Sequence, residues 1–306
     1  MKRTLLSAAL LIASFVGMPL LAQQEMVPTQ VLVTVDGKSP GELPASAITV
    51  SVNDHKQPLT AWAPLDPAKT QVVVLMDQGL RLSVGRELDT LRQFISSLPD
   101  GVEVMVGAME HGSVRADQTF TTNHEAAAAT VRIPQGLAGA SASPYLCLSD
   151  FAKKWPEGSM SGAGAKARLV LMITNGVDPY NGSTSLMNQD SPYVEAAVRD
   201  AQRAGVAVYS IYYGDAGIGG AQASLSGQSY LSQIAEGTGG KLFYQGMRNP
   251  VSIEPFLQEF KRILSQSYIA TFDAPADSRH DLARVKVSAK GAKVRAPEAV
   301  HPGNRE

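Results

Sequence analysis

Three runs of apolar residues decide what this chain can fold into. VVVLM (72–76), RLVLMIT (168–174) and VAVYSIYYG (206–214) are apolar almost without a break. A strand with one wet face alternates apolar and polar residues. Strands like these are covered on both faces, as in a mostly parallel sheet packed between helices. The segments between them carry a helical period. Val84, Leu88, Leu91, Ile95 and Leu98 share one helical face, with Ser83 as N-cap and Pro99-Asp100-Gly101 as the stop. Tyr145–Trp155, Tyr193–Ala204 and Tyr230–Glu236 read as further helices, and Ile253, Phe256, Leu257, Phe260, Ile263 and Leu264 line a last long one. Val102, Val104 and Val106 mark another strand, Gln118–Thr121 a short polar one, and KLFYQ a final one. Strand and helix in alternation give an α/β fold.

The pattern changes on both sides of this block. Before it, Val31, Val33 and Val35, then Ile48, Val50 and Val52, alternate with other residues, and Asp36-Gly37 and Asn53-Asp54 mark turns. This predicts about three short strands, followed by a linker at Pro64 and Pro67. After the block, SYIATFDAP, DLARVKVSAK and AKVRAP read as strands. Unpaired edges would stay exposed if the flanks were apart, so they are expected to meet. The fold class is therefore α/β: a Rossmann-like, doubly wound, mostly parallel sheet over 70–265, flanked by a small β module built from 23–66 and 266–298. Residues 299–306 are read as a tail.

Residues 1–22 read as a secretory signal peptide: Lys2 and Arg3, an apolar run from Leu5 to Val16, then Pro19 and a cleavage site near Ala22–Gln23. The expected location is periplasmic or extracellular. No later stretch reaches the ~18 apolar residues of a spanning helix. The single Cys147 leaves no internal disulfide to form and reads as a buried small apolar residue. A net charge of −1 with mixed signs gives no footprint for nucleic acid. The five histidines show no metal-ligand spacing and read as surface residues. Met76, Met105, Met109 and Met172 lie on or beside strands and read as core. GDAGIGG (214–220) follows a strand, but its glycines miss the dinucleotide spacing and no helix is expected directly after it. Asn181-Gly182-Ser183 is a glycosylation triplet if the host glycosylates. No nucleophile–base pair, zinc motif or phosphate loop can be named, so no enzyme is expected.

In an open parallel sheet, ligands bind beyond the carboxyl ends of the strands. Segments 77–83, 134–144, 175–192 and 214–229 should land there, the last two long and rich in Gly, Ser, Asn and Asp. The binding-face residues are Gly79, Arg81, Ser83, Asp178, Tyr180, Asp190 and Asp215.

The block resembles a von Willebrand factor type A (vWA) domain. VVVLMDQG looks like its first strand and metal-loop corner, and MITNGVD like its fourth-strand corner. The flanks DGKSPGELPASAITVSVNDHKQPL and LSQSYIATFDAP…HDLARVKVSAKGAKVRA resemble the ends of VWFA-related proteins found chiefly in acidobacteria. The resemblance implies a metal-ion-dependent adhesion site. Its ligands are an Asp and two Ser of the first loop, a Thr of a second loop and an Asp of the fourth-strand loop. Here only Asp77 matches in full. Gly79 and Arg81 replace the two Ser, the Thr position falls at Ser141 or Ser143, and Asn175 replaces the last Asp. Mg²⁺ wants hard oxygens in near-octahedral array, whereas Gly79 offers none and Arg81 brings a positive charge. The expected site is a degenerate one with no cofactor, on a module that binds a protein or peptide. Mg²⁺ held with help from Asp178 or Asp190 is the alternative, and a hydrolase working in the same crevice comes last.

Overall fold

The computed structural model describes residues 25–37, 43–80, 82–134, 143–156, 166–178, 191–214, 220–246, 248–276 and 281–304, and the side chains of 82–83 and 220–224 are outside that description. The signal-peptide reading and the glycosylation triplet fall outside it as well.

The α/β block forms around a six-stranded sheet. Its strands are β5 (Thr70–Asp77), β6 (Glu103–Glu110), β7 (Ser113–Ala116), β8 (Ala167–Thr174), β9 (Val206–Tyr212) and β10 (Leu242–Phe243), in the spatial order β10-β9-β8-β5-β6-β7. All neighbours are parallel except β7, which returns along β6 through a tight turn at His111-Gly112, both at positive φ. Counted within the sheet, the order is 3-2-1-4-5-6, that of a doubly wound nucleotide-binding-type sheet. The fold class read from the sequence is thus the one observed.

Period-two alternation on buried strands explains the two cores. Val72, Val74 and Met76 of β5 face α1 (Leu88–Ser96), α2 (His124–Ala129) and α6 (Glu254–Ser265), while Val73 and Leu75 face α3 (Pro144–Lys153), α4 (Pro192–Arg203) and α5 (Gly220–Thr238). Cys147 and the four strand methionines are buried in these cores.

The flanks build a β-sandwich. One sheet runs β13-β1-β11-β4, from β13 (Lys293–Arg295), β1 (Met26–Asp36), β11 (Ser267–Pro275) and β4 (Leu59–Pro64). The other runs β14-β12-β2-β3, from β14 (Ala299–Val300), β12 (Ala283–Ala289), β2 (Ile48–Val52) and β3 (His55–Gln57). β1 pairs with β11 from Met26↔Pro275 to Thr34↔Ser267, and β2 with β12 from Val52↔Val285 to Ile48↔Ala289. Val31, Val33, Val50, Val52, Phe272 and Val285 share the core between the sheets. The α/β block is therefore an insertion between β4 and β11.

Several local expectations differ from what forms. Among the described residues the N-terminal flank has four strands, because a two-residue turn at Asn53-Asp54 folds β3 back on β2 and Pro58 separates β3 from β4. β4 runs to Pro64 and leads through the 3-10 turn Pro67–Lys69 into β5, leaving almost no linker. Ser83 lies inside a 3-10 turn (Leu82–Glu87) that precedes α1, so it is not an N-cap. The short strand after β6 is Ser113–Ala116, and Thr121 makes only an isolated bridge to Val104. Residues 299–304 are more than a tail: Val300 is buried, and the Asn304 side chain bonds both the N–H and the C=O of Gln30. His124 is buried at the start of α2 with Nε2 on Val102 O, not on the surface. Among the described residues, no helix is long and apolar enough to cross a membrane.

Candidate functional site

β5 leads away to β6 and β8 to β9, so their carboxyl ends diverge at the point where the strand order reverses. Asp77 and Thr174 are the last residues of those two strands. Both are fully buried, and they bond directly: Thr174 Oγ1 donates to Asp77 Oδ2 at 2.5 Å. Asp77 Oδ1 accepts the Gly79 N–H at 2.7 Å, and Leu80 N bonds Asp77 O at 3.1 Å, which closes the corner into a turn. Thr174 Oγ1 also accepts the Gly176 N–H at 2.9 Å. A chain of hydrogen bonds thus runs from Gly176 through Thr174 to the carboxylate.

The loop after β8 folds back on itself. Asn175 Oδ1 accepts the Val177 N–H at 2.9 Å, a side-chain turn typical of Asn. Asp178 is buried and accepts from Ser191 Oγ, the N-cap of α4. From α3, the Tyr145 hydroxyl donates to Gly176 O at 2.5 Å. Burial chiefly, then the carboxylates of Asp178 and Asp77 and the neighbouring Tyr230, raise the Tyr145 pKa well above its ordinary value. The phenol stays neutral and acts as a donor. Its ring meets that of Tyr230 on α5 edge-on at 5.7 Å.

Two glycines let α5 close over this loop. Gly176 sits at φ +68, and a Cβ there would lie 2.7 Å from Gly227 O. A Cβ on Gly227 would lie 2.5 Å from Asn175 O. Backbone meets backbone here, with the Leu231 side chain also 2.9 Å from the Gly176 position.

Of the residues expected to form the site, the structure brings together Asp77, Gly79, Asn175 and Asp178. Ser143 is buried at the N-cap of α3, two residues before Tyr145, with Oγ turned to Leu146 N at 3.4 Å. Arg81, Ser141, Tyr180, Asp190 and Asp215 lie outside the described residues, as does the side chain of Ser83. The expectation that 214–229 is a binding loop needs correction. α5 opens at Gly220, the last residue of GDAGIGG, so ten of the sixteen residues 214–229 are helix. Thr174, Tyr145, Ser191, Gly176 and Gly227 were missed. Thr174 was hidden in the apolar run of its strand, and Tyr145 in a helix read only for its apolar face.

The described donors do not suit a hard divalent cation. Gly79 offers no side-chain oxygen beside Asp77. The Asn175 amide oxygen is turned onto its own loop. Among the described residues, no group of three His, Cys, Asp or Glu side chains could hold a metal.

No protein-family model and no curated protein sequence matches the chain. Solved structures similar to it include an aerotolerance-related membrane protein from Bacteroides fragilis (16% identity, 64% of this chain and 98% of that one, TM-score 0.40). Others are the ArnB paralog VWA2 from Sulfolobus acidocaldarius (7%, 90% and 76%, TM-score 0.36) and the SpRpn10 VWA domain (11%, 62% and 94%, TM-score 0.37). The fold assignment rests on the strand order and directions given above.

Proposed function

We propose that this chain is an exported, non-enzymatic vWA-type module that binds a protein or peptide at the carboxyl end of its parallel sheet, without a bound metal. The VWFA-related proteins named above are the group in which it fits best, on the residues of the two corners and of the flanks. The observation that carries the reading is the Thr174–Asp77 hydrogen bond at the switch point. It ties the one matching carboxylate to a neighbouring strand. A buried carboxylate held by an O–H and an N–H donor is satisfied without a cation.

The test is capture of partners from the chain's own cell envelope, with and without chelator. Capture is expected to be insensitive to chelator. It should be lost on Val177→Asp, beside the corner, and on Leu225→Asp, an exposed apolar position on α5 at 49% exposure. Lys286→Glu on the sandwich should leave it intact. Loss of capture in chelator, or equal effects of all three substitutions, would contradict the proposal.

A further inference from the structure

We infer that the chain carries a second site, an anion-binding cleft at the junction of the α/β block and the sandwich, suited to a phosphate-type oxyanion. The cleft has a volume of about 280 Å³. The α/β block contributes Lys166, Arg168 and Arg203, and the sandwich contributes Gln30 of β1 and His301 of the C-terminal segment. No Asp or Glu lines it among the described residues. Three cationic side chains on a concave wall bring N–H donors to the space they enclose.

Carboxylates balance these cations, so recognition rests on N–H donor geometry and not on net charge; Asp281, half exposed, meets both Arg203 and His301. Lys166 Nζ lies 2.7 Å from Glu103, Arg203 Nη1 lies 3.0 Å from Asp200, and Arg203 Nε pairs with Asp281. These pairs hold the cations in place. They do not exhaust an arginine, which has five N–H donors in a planar fork that matches phosphate geometry. Besides these carboxylates, the C-terminal end of α4 opposes an anion with its negative partial charge. Arg168 answers it directly, since its Nη1 donates to Ala204 O at 3.0 Å. The same guanidinium lies 5.4 Å from the centre of the Trp155 ring, which fixes its plane. Gln30 is bound to Asn304 only through its backbone N–H and C=O, so its side chain can be changed without breaking those bonds.

The test is thermal unfolding of the purified chain in sodium phosphate and in sodium chloride at matched ionic strength, because salt alone screens surface pairs. A saturable rise in melting temperature with phosphate over chloride is expected, as for any ligand that binds only the native state. Gln30→Glu puts a carboxylate in the cleft and should weaken the apparent phosphate affinity about tenfold or more, while Gln30→Ala should keep it. Arg168→Gln should weaken it likewise, with its intrinsic stability read from the chloride series. Identical curves in phosphate and chloride would overturn the inference, as would a Gln30→Glu chain that responds like the wild type. Two further arms separate the sources of the group. A response to glycerol phosphate in the same titration points to a soluble ligand. Sedimentation with phosphatidylglycerol vesicles that inorganic phosphate competes away points to a lipid headgroup.

Discussion

Thr174 and Asp77 carry the corner through one short hydrogen bond. Thr174→Val keeps the shape and removes the hydroxyl, leaving a buried carboxylate oxygen without that donor. Loss of a buried partner to a charged group costs about 2–3 kcal/mol, and Thr174→Ser should recover most of it. Denaturant unfolding of both variants checks this. Asp77 was legible in the sequence because a carboxylate at the end of an apolar strand stands out. Its partner was not, because Thr174 reads as one more strand residue. Cys147 makes a second point at this scale. Burial chiefly, with the Asp77 carboxylate adding to it, pushes its thiol pKa from 9.0 to about 12. The folded chain therefore holds a proton that the unfolded chain releases. The stability this represents is present below pH 9.0 and is lost as pH rises toward about 12. Cys147→Ala is expected to flatten that alkaline decline. At pH 8 the wild-type thiol should react with a thiol reagent only as fast as the chain unfolds.

At the scale of elements, α5 shows where sequence reading succeeded and where it stopped. Its later part, read as Tyr230–Glu236, was visible from its apolar spacing. Its first ten residues, GAQASLSGQS, look like a loop because Gly and Ser are poor helix formers. Packing overrides that preference, and glycine is what the packing needs: Gly227 lies flat against the loop at Asn175 and Gly176. Gly227→Ala should therefore cost about 1–3 kcal/mol through overpacking, although alanine is the better helix former. Hydrogen exchange should rise at residues 174–178. Gly37→Ala, where a Cβ meets nothing within 4 Å, is the neutral control. α3 and α4 are joined by a different device. Burial would raise the Asp200 pKa, but hydrogen bonds and charge from Ser149, Lys153 and Arg203 outweigh it and hold the carboxylate below its usual range. That contribution is present above the unfolded carboxylate pKa and fades as acid protonates Asp200.

For the whole molecule, the order of the sheet and the meeting of the two flanks were legible, since near-continuous apolar strands and alternating ones demand different surroundings. The role of the last residues was not. HPGN carries no apolar period, yet His301 contacts Asp281 at 3.3 Å and Asn304 brackets the backbone of Gln30. Removing residues 299–306 also takes away buried Val300. This should destabilise the chain by several kcal/mol and leave one unfolding transition, because β1 and β11 pair across the whole insertion. Two separated transitions in calorimetry would show that the sandwich and the α/β block fold independently.

The central claim at this scale is that the recognition end is organised by Asp77, Thr174 and Tyr145 rather than by a cation. Its most direct test is isothermal calorimetry of the purified chain with Mg²⁺, Mn²⁺ and Ca²⁺, alongside Gly79→Ser, Arg81→Ser, Asn175→Asp in one chain. The wild type should give no saturable heat, and the triple variant, with three hard-oxygen groups returned around Asp77, should bind Mg²⁺ measurably. Micromolar binding by the wild type that disappears in Asp77→Ala would contradict the claim.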